Sequence, residues 1–366
     1  MHDGKMTNVA LLGYKGAFSN ATGSGVNRYM YELYHNMDLL APKRIRIHTT
    51  EVENSLMGRR PPFLPFLLKN IMKSYGAFDI VHNAVGNMLY LPLKKSKTTY
   101  ITTSFEFAAS KYPELVVENY RDPLRAIGMA PYVSMLGLTE RLQLGSDHMI
   151  AISTLTRDDA ISLGYEKDRV SVVNLGIDER FMGPTSAPRA RRGFKVGYIG
   201  SFVHKKNVVF AVRAFKMLDD PKACMEIWGK KADTAAYGQM AAEAQADRRI
   251  SLMGFLPEDR IVDAYDSFSV YVHPVLYTGF ELEIIEAQAR GVPVIVCKGG
   301  RIPDEVKKYC FQAKDEGHMA EIMMDIRDNG YSEKARRRAT EYARGFTWER
   351  TARETLAVYE KVRPGA

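Results

Sequence analysis

Short apolar runs alternate along the chain with stretches whose apolar positions recur every three or four residues. Near the start, VALLGY reads as a buried strand. GVNRYMYELYHNM follows, with Val26, Tyr29, Met30, Leu33 and Tyr34 on one helical face. RIRIHTT, FDIVHN, TTYITTS, HMIAIS and VSVVNLG read as further strands, several preceded by amphipathic helical patterns, and Ser153 is placed to cap the helix after HMIAIS. Regular alternation of strand and helix predicts α/β structure: a parallel, doubly wound sheet with helices on both faces.

The pattern breaks at MGPTSAPRARRG, residues 182–193, where prolines, small residues and arginines make a poor core and a good linker. It then resumes with FKVGYIGS, a helix around NVVFAVRAFKML, ACMEIWG, a helix near Ala235–Gln245, RISLMG, a helix near Glu258–Ala264, and SVYVHPV. Two Rossmann-like domains are expected, over residues 1–183 and 184–345, with a cleft between them. FTWERTARETLAVYEKV closes the chain as a helix over 346–366, anchored by Trp348.

Composition narrows the class. The 366 residues are 46% hydrophobic and 26% charged, as in ordinary globular proteins, and suffice for two full cores. The N-terminal stretch, with Asp3 and Lys5 ahead of a short apolar run, lacks the layout of a secretory signal. Cys224, Cys297 and Cys310 show neither C-x-x-C nor metal-ligand spacing, which fits a reducing, cytoplasmic setting. The formal charge of +8 is spread over both halves, and no basic stripe interleaved with aromatics points to nucleic acid. MGRRPPFLPFLLKNIMKSYG sets Arg59, Arg60, Lys69 and Lys73 around an apolar series. It reads either as a basic amphipathic element for peripheral contact with an anionic membrane, on the inner face, or as a helix packed on the sheet.

Candidate chemistry concentrates in YVHPVLYTGFELEIIEAQARGVPVIVCKGGRIPDE, residues 271–305. A strand feeds a turn on Gly279. A helix over 282–290 follows, stopped by Gly291, and then the strand VPVIV. A glycine turn opening a helix directs backbone N–H groups and the positive end of the helix dipole at one spot, which suits a phosphate. In VGYIGSFVHKKN, Lys205 and Lys206 form a basic pair at the start of a helix, with Ser201 and His204 nearby, a pattern that by itself also fits surface solvation. Gly23 and Gly25 flank Ser24 ahead of the first helix, allowing close backbone approach to a ligand. The pairs Asp158–Asp159 and Asp219–Asp220 are better read as capping or solvated charge than as metal ligands, and the eight histidines are scattered. No metal and no cofactor are expected. There is no G-x-S-x-G elbow for a serine hydrolase.

The 271–305 block resembles the donor-binding signature of family 4 (group 1) glycosyltransferases, P-S-x-x-E-G-F-G-L-P-x-x-E-A-x-A-x-G-x-P-V-I. It matches at Pro274, Gly279, Phe280, Leu282, Glu286, Ala287, Ala289, Gly291, Pro293, Val294 and Ile295. Thr278 stands where the family has its first Glu, Glu281 where it has Gly, and Glu283 where it has Pro. The segment around Gly200, Lys206 and Asn207 is similar to G-R-x-x-x-x-K-N/G, with Ser201 in place of Arg. YITTSFEFAASKYPE resembles T-x-H-D-x-x-x-x-x-x-P-E, with Phe105 and Glu106 in place of His and Asp. RISLMGFLPEDRIVDAYDSF resembles the segment beside the nucleotide base, at Gly254 and Phe255, and N-x-G-x-D recurs as Asn174, Gly176 and Asp178.

The resemblance implies the GT-B fold of two facing Rossmann-like domains, with the helix over 346–366 either crossing back to the first domain or packed on its own. It implies transfer of a hexose from a UDP- or GDP-linked sugar to a hydroxyl of a glycan, glycolipid or other acceptor, with retention and without metal. Glu286 would hold the ribose hydroxyls. Lys206 would neutralise the departing diphosphate, with Ser201, Thr278, Gly279, Phe280, Leu282, Gly254, Phe255, Gly23 and Gly25 lining the donor. Glu106 would steer or deprotonate the acceptor, and Glu281 or Glu283 would replace the lost acid. Because Thr278, Ser201 and Phe105 depart from the pattern, a catalytically degenerate GT-B binding module, or accessory subunit, stays open. So does a sugar-nucleotide epimerase.

Overall fold

The computed structural model describes residues 6–19, 25–40, 42–52, 77–85, 97–117, 123–184, 193–231 and 234–363. Gly23 and the basic stretch 57–76 lie outside the described residues. The chain forms two units, one of residues 1–111, 134–176 and 347–366, the other of 112–133 and 177–346. Residues 112–133, expected inside the first domain, group with the second, where the helix Pro113–Val117 packs against the 3-10 turn His204–Lys206. The two ends of the second unit's main stretch meet: the Ile177 N–H donates to the Phe346 carbonyl at 2.9 Å.

The first unit is a six-stranded parallel sheet in the order β2-β1-β3-β4-β5-β6. Its strands are β1 (Thr7–Tyr14), β2 (Ile45–Val52), β3 (Ile80–Asn83), β4 (Thr99–Ser104), β5 (His148–Ala151) and β6 (Val170–Val172). The helix Gly25–Leu40 buries Tyr29, Met30, Leu33 and Met37, whereas Val26 and Tyr34 stay half-buried, so the buried stripe runs further along the helix than the pattern predicts. Ser153 caps the helix Thr154–Ser162, its hydroxyl accepting from the Thr156 N–H at 3.1 Å. The closing helix Trp348–Val362 packs on the helix Gly25–Leu40, and Thr351 donates to the Asn174 carbonyl at 2.8 Å. Gly176 is required by that packing, because a Cβ there would lie 2.2 Å from the Trp348 nitrogen.

The second unit is also a six-stranded parallel sheet, in the order β12-β11-β10-β7-β8-β9. Its strands are β7 (Lys195–Ile199), β8 (Cys224–Trp228), β9 (Ile250–Gly254), β10 (Val270–His273), β11 (Val294–Cys297) and β12 (Phe311–Ala313). β10 and β11 are buried along their whole length, as central parallel strands must be, and alternate side chains enter two apolar clusters on opposite faces. Val270, Val272 and Ile295 pack with Phe215 and Met225 on one face. Tyr271, Val294 and Val296 pack with Tyr265 and Ile285 on the other.

In this order the chain winds outward from β7 through β8 and β9, then returns to β10 beside β7. The crossovers from β7 and from β10 therefore depart in opposite directions, opening a crevice at the carboxyl ends of these two strands. Doubly wound sheets bind ligands in such a crevice. The first unit has the same switch between β1 and β3.

Candidate functional site

Two loops leave the switch point of the second unit. The one after β7 carries Ser201 and the 3-10 turn His204–Lys206. The one after β10 carries Thr278, Gly279 and Phe280 into the helix Leu282–Ala289. Backbone hydrogen bonds hold them together: the Leu276 N–H donates to the Lys205 carbonyl at 2.7 Å, the Arg301 N–H to Leu276 at 2.8 Å, and the Thr278 N–H to Arg301 at 3.1 Å. Asn207, which ends the 3-10 turn, sits at φ 50°, the only positive φ outside glycine among the described residues. An asparagine tolerates this left-handed position better than most side chains.

Here two candidates 75 residues apart in sequence come together. Lys206 Nζ donates to Glu281 Oε2 at 2.5 Å, with Lys206 9% and Glu281 4% exposed. His273, fully buried at the end of β10, places Nε2 3.0 Å from the same oxygen. Its Nδ1 lies 2.9 Å from the Tyr271 hydroxyl, which donates to the Ile199 carbonyl of β7 at 2.9 Å. Burial works to raise the Glu281 pKa. The Lys206 ammonium, then His273, and the hydrogen bonds from both outweigh it and hold the carboxyl well below the usual carboxylate range.

Glu281 occupies the N-cap position of the helix Leu282–Ala289, yet no side chain caps that helix. Its carboxylate turns to Lys206 and His273 instead, leaving the first-turn N–H groups without a side-chain acceptor.

One helical turn further on, Glu286 is 3% exposed and accepts from the Tyr265 hydroxyl at 3.0 Å. Burial, then the Glu286 charge, pushes the Tyr265 phenol far up, so it remains a donor to that carboxylate. Thr278 is buried and its hydroxyl donates to the Phe280 carbonyl at 3.2 Å. Gly279 is buried between them. Phe280 packs on Phe346, ring centroids 5.9 Å apart, and Leu282 is half-buried against the apolar cluster around Tyr271 and Ile285. Ser201 is exposed, its carbonyl accepting from the Tyr198 hydroxyl at 2.8 Å.

At the end of β9, Gly254 has φ 77° and its carbonyl accepts from the Gly229 N–H at 2.8 Å. Phe255 beyond it is 59% exposed, with Lys230 Nζ 4.7 Å from the ring centroid. In the first unit, Gly25 opens its helix, and a Cβ there would meet nothing within 4 Å, so packing does not require glycine. Glu106 lies half-buried on the loop after β4. Its charge adds to the burial that raises the Glu140 carboxyl, which in turn accepts from the Ala109 and Ser110 N–H groups.

Sequence reasoning missed His273, Tyr271 and Arg301. A histidine and a tyrosine inside the otherwise apolar run YVHPV were the available signal, since a fully buried polar side chain requires a partner. Arg301 ties the Thr278 loop through its backbone, and its guanidinium lies 5.0 Å from the centroid of Tyr112, which packs against Tyr277 at 4.6 Å. Among the described residues, no three His, Cys, Asp or Glu side chains are grouped to hold a metal ion. No helix among them is long and apolar enough to cross a membrane.

Residues 193–329 match the family model of group 1 glycosyl transferases. The chain is 23% identical over 231 residues to the O-antigen chain mannosyltransferase B of Escherichia coli, covering 58% of this chain and 60% of that protein. It is 26% identical over 312 residues to the D-inositol 3-phosphate glycosyltransferase of Kribbella flavida, covering 78% of this chain and 71% of that one. Among solved structures, the sucrose-phosphate synthase of Thermosynechococcus elongatus superposes with a TM-score of 0.74 at 18% identity, covering 97% of this chain and 99% of that one. Anabaena HepE, solved with UDP and glucose, superposes with a TM-score of 0.66 at 13% identity, covering 97% and 100%. The family match falls on the second unit, which carries the Lys206–Glu281 site, and the two parallel sheets give the chain the GT-B fold of these solved structures.

Proposed function

We propose that the chain transfers a hexose from a UDP- or GDP-linked sugar to an acceptor hydroxyl, without metal and with retention of configuration. The observation that carries this reading is the buried cation Lys206 beside an uncapped helix start at the switch point of the second sheet. Such a site offers fixed positive charge and N–H donors where a leaving diphosphate gains charge. Glu286, one helical turn away, is the acceptor for the ribose hydroxyls. Mannosyl- and inositol-phosphate glycosyltransferases among the relatives, and a UDP and glucose complex among the structural neighbours, support the same class of donor.

In the proposed reaction the bond from the sugar C1 to the β-phosphate oxygen breaks, and its electron pair goes to the phosphate. Lys206 stabilises that charge. The acceptor oxygen attacks C1 from the same face and passes its proton to the departing β-phosphate. The acceptor belongs to the glycan, glycolipid or other hydroxyl class, and the setting is a reducing cytoplasm. In keeping with that setting, burial pushes the thiols of Cys297 and Cys310 up to about 12, which leaves them unreactive.

Calorimetry with UDP, GDP, ADP and CMP and their sugars in EDTA tests the reading. Metal-free binding of one series, followed by transfer from its sugar to an acceptor, is expected. A second reading, a GT-B module that binds without turnover, draws on the Lys206–Glu281 pair, which leaves the cation already neutralised. Binding with no transfer or hydrolysis across an acceptor panel would favour it.

A further inference from the structure

Glu281 is buried, negatively charged, and aimed at the cation that the proposed donor needs. Lys206 and Glu281 together carry no net charge, so an incoming diphosphate meets a neutral pair and gains little attraction from it. The carboxylate accepts an ammonium N–H that a phosphate oxygen would otherwise accept. It also lies beside the helix start whose N–H groups suit the same anion. Its two partners meet one oxygen, Oε2, Lys206 at 2.5 Å and His273 at 3.0 Å. His273 is fixed from behind by the Tyr271 hydroxyl, itself bonded to the β7 backbone, so this partner stays in place whatever Lys206 does.

We propose that Glu281 is an internal counterion that competes with the diphosphate of the donor for Lys206, while His273, braced by Tyr271, retains the carboxylate when Lys206 turns to the phosphate. This rests on the reading of the site as a diphosphate cradle. Glu281 thereby sets donor affinity: the pair compensates the buried Lys206 charge, and part of the binding energy of each donor is spent separating it. A donor that cannot separate the pair binds weakly, which makes the position a selector for ligands with two phosphates over those with one.

The test is calorimetry of the full chain with inorganic pyrophosphate, UDP and GDP. Glu281→Gln is expected to bind pyrophosphate and the preferred nucleotide about tenfold more tightly than the unaltered protein, the effect of removing one charge-assisted competitor. His273→Asn leaves the carboxylate only Lys206 and is expected to weaken binding several-fold. In a Lys206→Ala background, binding should be weak with either residue at 281, and any tightening by Glu281→Gln should reflect relief of charge repulsion alone, so that it persists with orthophosphate as well as pyrophosphate. Glu281→Asp keeps the buried pair neutral, and so serves if the glutamine variant does not fold. Its shorter reach should tighten binding in the same direction.

Equal or weaker binding by both Glu281 variants, with the unaltered protein binding normally, overturns the counterion role and leaves the donor site standing. Failure of every folded form to bind pyrophosphate or any nucleotide overturns the diphosphate cradle itself, and the counterion with it.

Discussion

Each sheet buries a histidine on the strand that returns to its switch point, and the two histidines are satisfied in opposite ways. His82, on β3 beside β1, lies 2.6 Å from the Tyr359 hydroxyl of the closing helix and 2.8 Å from Thr103, which lies 2.8 Å from the Tyr29 hydroxyl. Every partner is neutral, and the network fastens two helices to one sheet. His273, on β10 beside β7, instead joins Tyr271 to a carboxylate and an ammonium. A buried charge is costly to hold unless it is paired, whereas a fully satisfied hydroxyl network rigidifies the packing around it. The same topology thus holds a neutral hydroxyl network in one unit and a buried ion pair in the other.

The sharpest way to break this contrast is Lys206→Ala. If the second network acts on a leaving group, turnover with the donor found by calorimetry should fall on the order of 10²–10³-fold. A near-normal rate in folded protein would make the second network as structural as the first, and would remove the proposed role of Lys206.

Acid should separate the units next. Burial pushes His82 down to about 3. Burial, followed by Lys361 and Arg169, pushes His148 of the same unit down to about 4. Both take up protons more readily unfolded, near the ordinary value of about 6.5, so the first unit should lose stability as pH falls from about 6.5 toward 3. The loss should be on the order of a few kcal/mol. Glu281 has the opposite ionic character. Its depressed carboxyl stabilises the second unit above the unfolded value of about 4.3, and that support fades only below it. The two tryptophans report separately, Trp348 in the first unit and Trp228 in the second. Fluorescence of Trp228→Phe and Trp348→Phe variants should show the Trp348 signal moving at the higher pH. Coincident transitions would contradict the contrast.

Much of this was legible in the sequence and some was not. Strand and helix positions followed from periodicity because central parallel strands such as VIVC are apolar throughout and the helices present one face. The helix Ala235–Gln245 falls where the pattern places it. The three-residue β12, FQA, gave no periodic signal. Glu286 stood out through its motif. The partner of Lys206 did not, because Lys206 and Glu281 are 75 residues apart and meet only through the return of β10 to β7. His82 and Tyr359 are separated by 277 residues for a related reason: the closing helix belongs to the first unit. Local pattern finds elements, and buried polar pairs are a property of topology.

Glu286→Gln should have a smaller effect than loss of Lys206. The amide keeps the shape, and Tyr265 can still donate to its oxygen, but the acceptor proposed for the ribose hydroxyls loses its charge. Nucleotide affinity should fall about tenfold, with pyrophosphate affinity unchanged, since pyrophosphate has no ribose. Equal weakening of both ligands would place Glu286 in the phosphate network instead.

The finest test compares two hydroxyl deletions. Tyr359→Phe removes the partner of His82 Nδ1, and Tyr271→Phe removes the partner of His273 Nδ1. Each leaves a buried ring nitrogen unsatisfied, at a cost of about 1–2 kcal/mol in unfolding by urea. If the two networks differ only in composition, that shared loss is the whole effect. If they differ in role, Tyr271→Phe should also change pyrophosphate affinity several-fold, because His273 would lose the brace from which it holds Glu281. Tyr359→Phe should leave that affinity alone. A shift in pyrophosphate binding in both variants, or in neither, would erase the difference in role between the two networks.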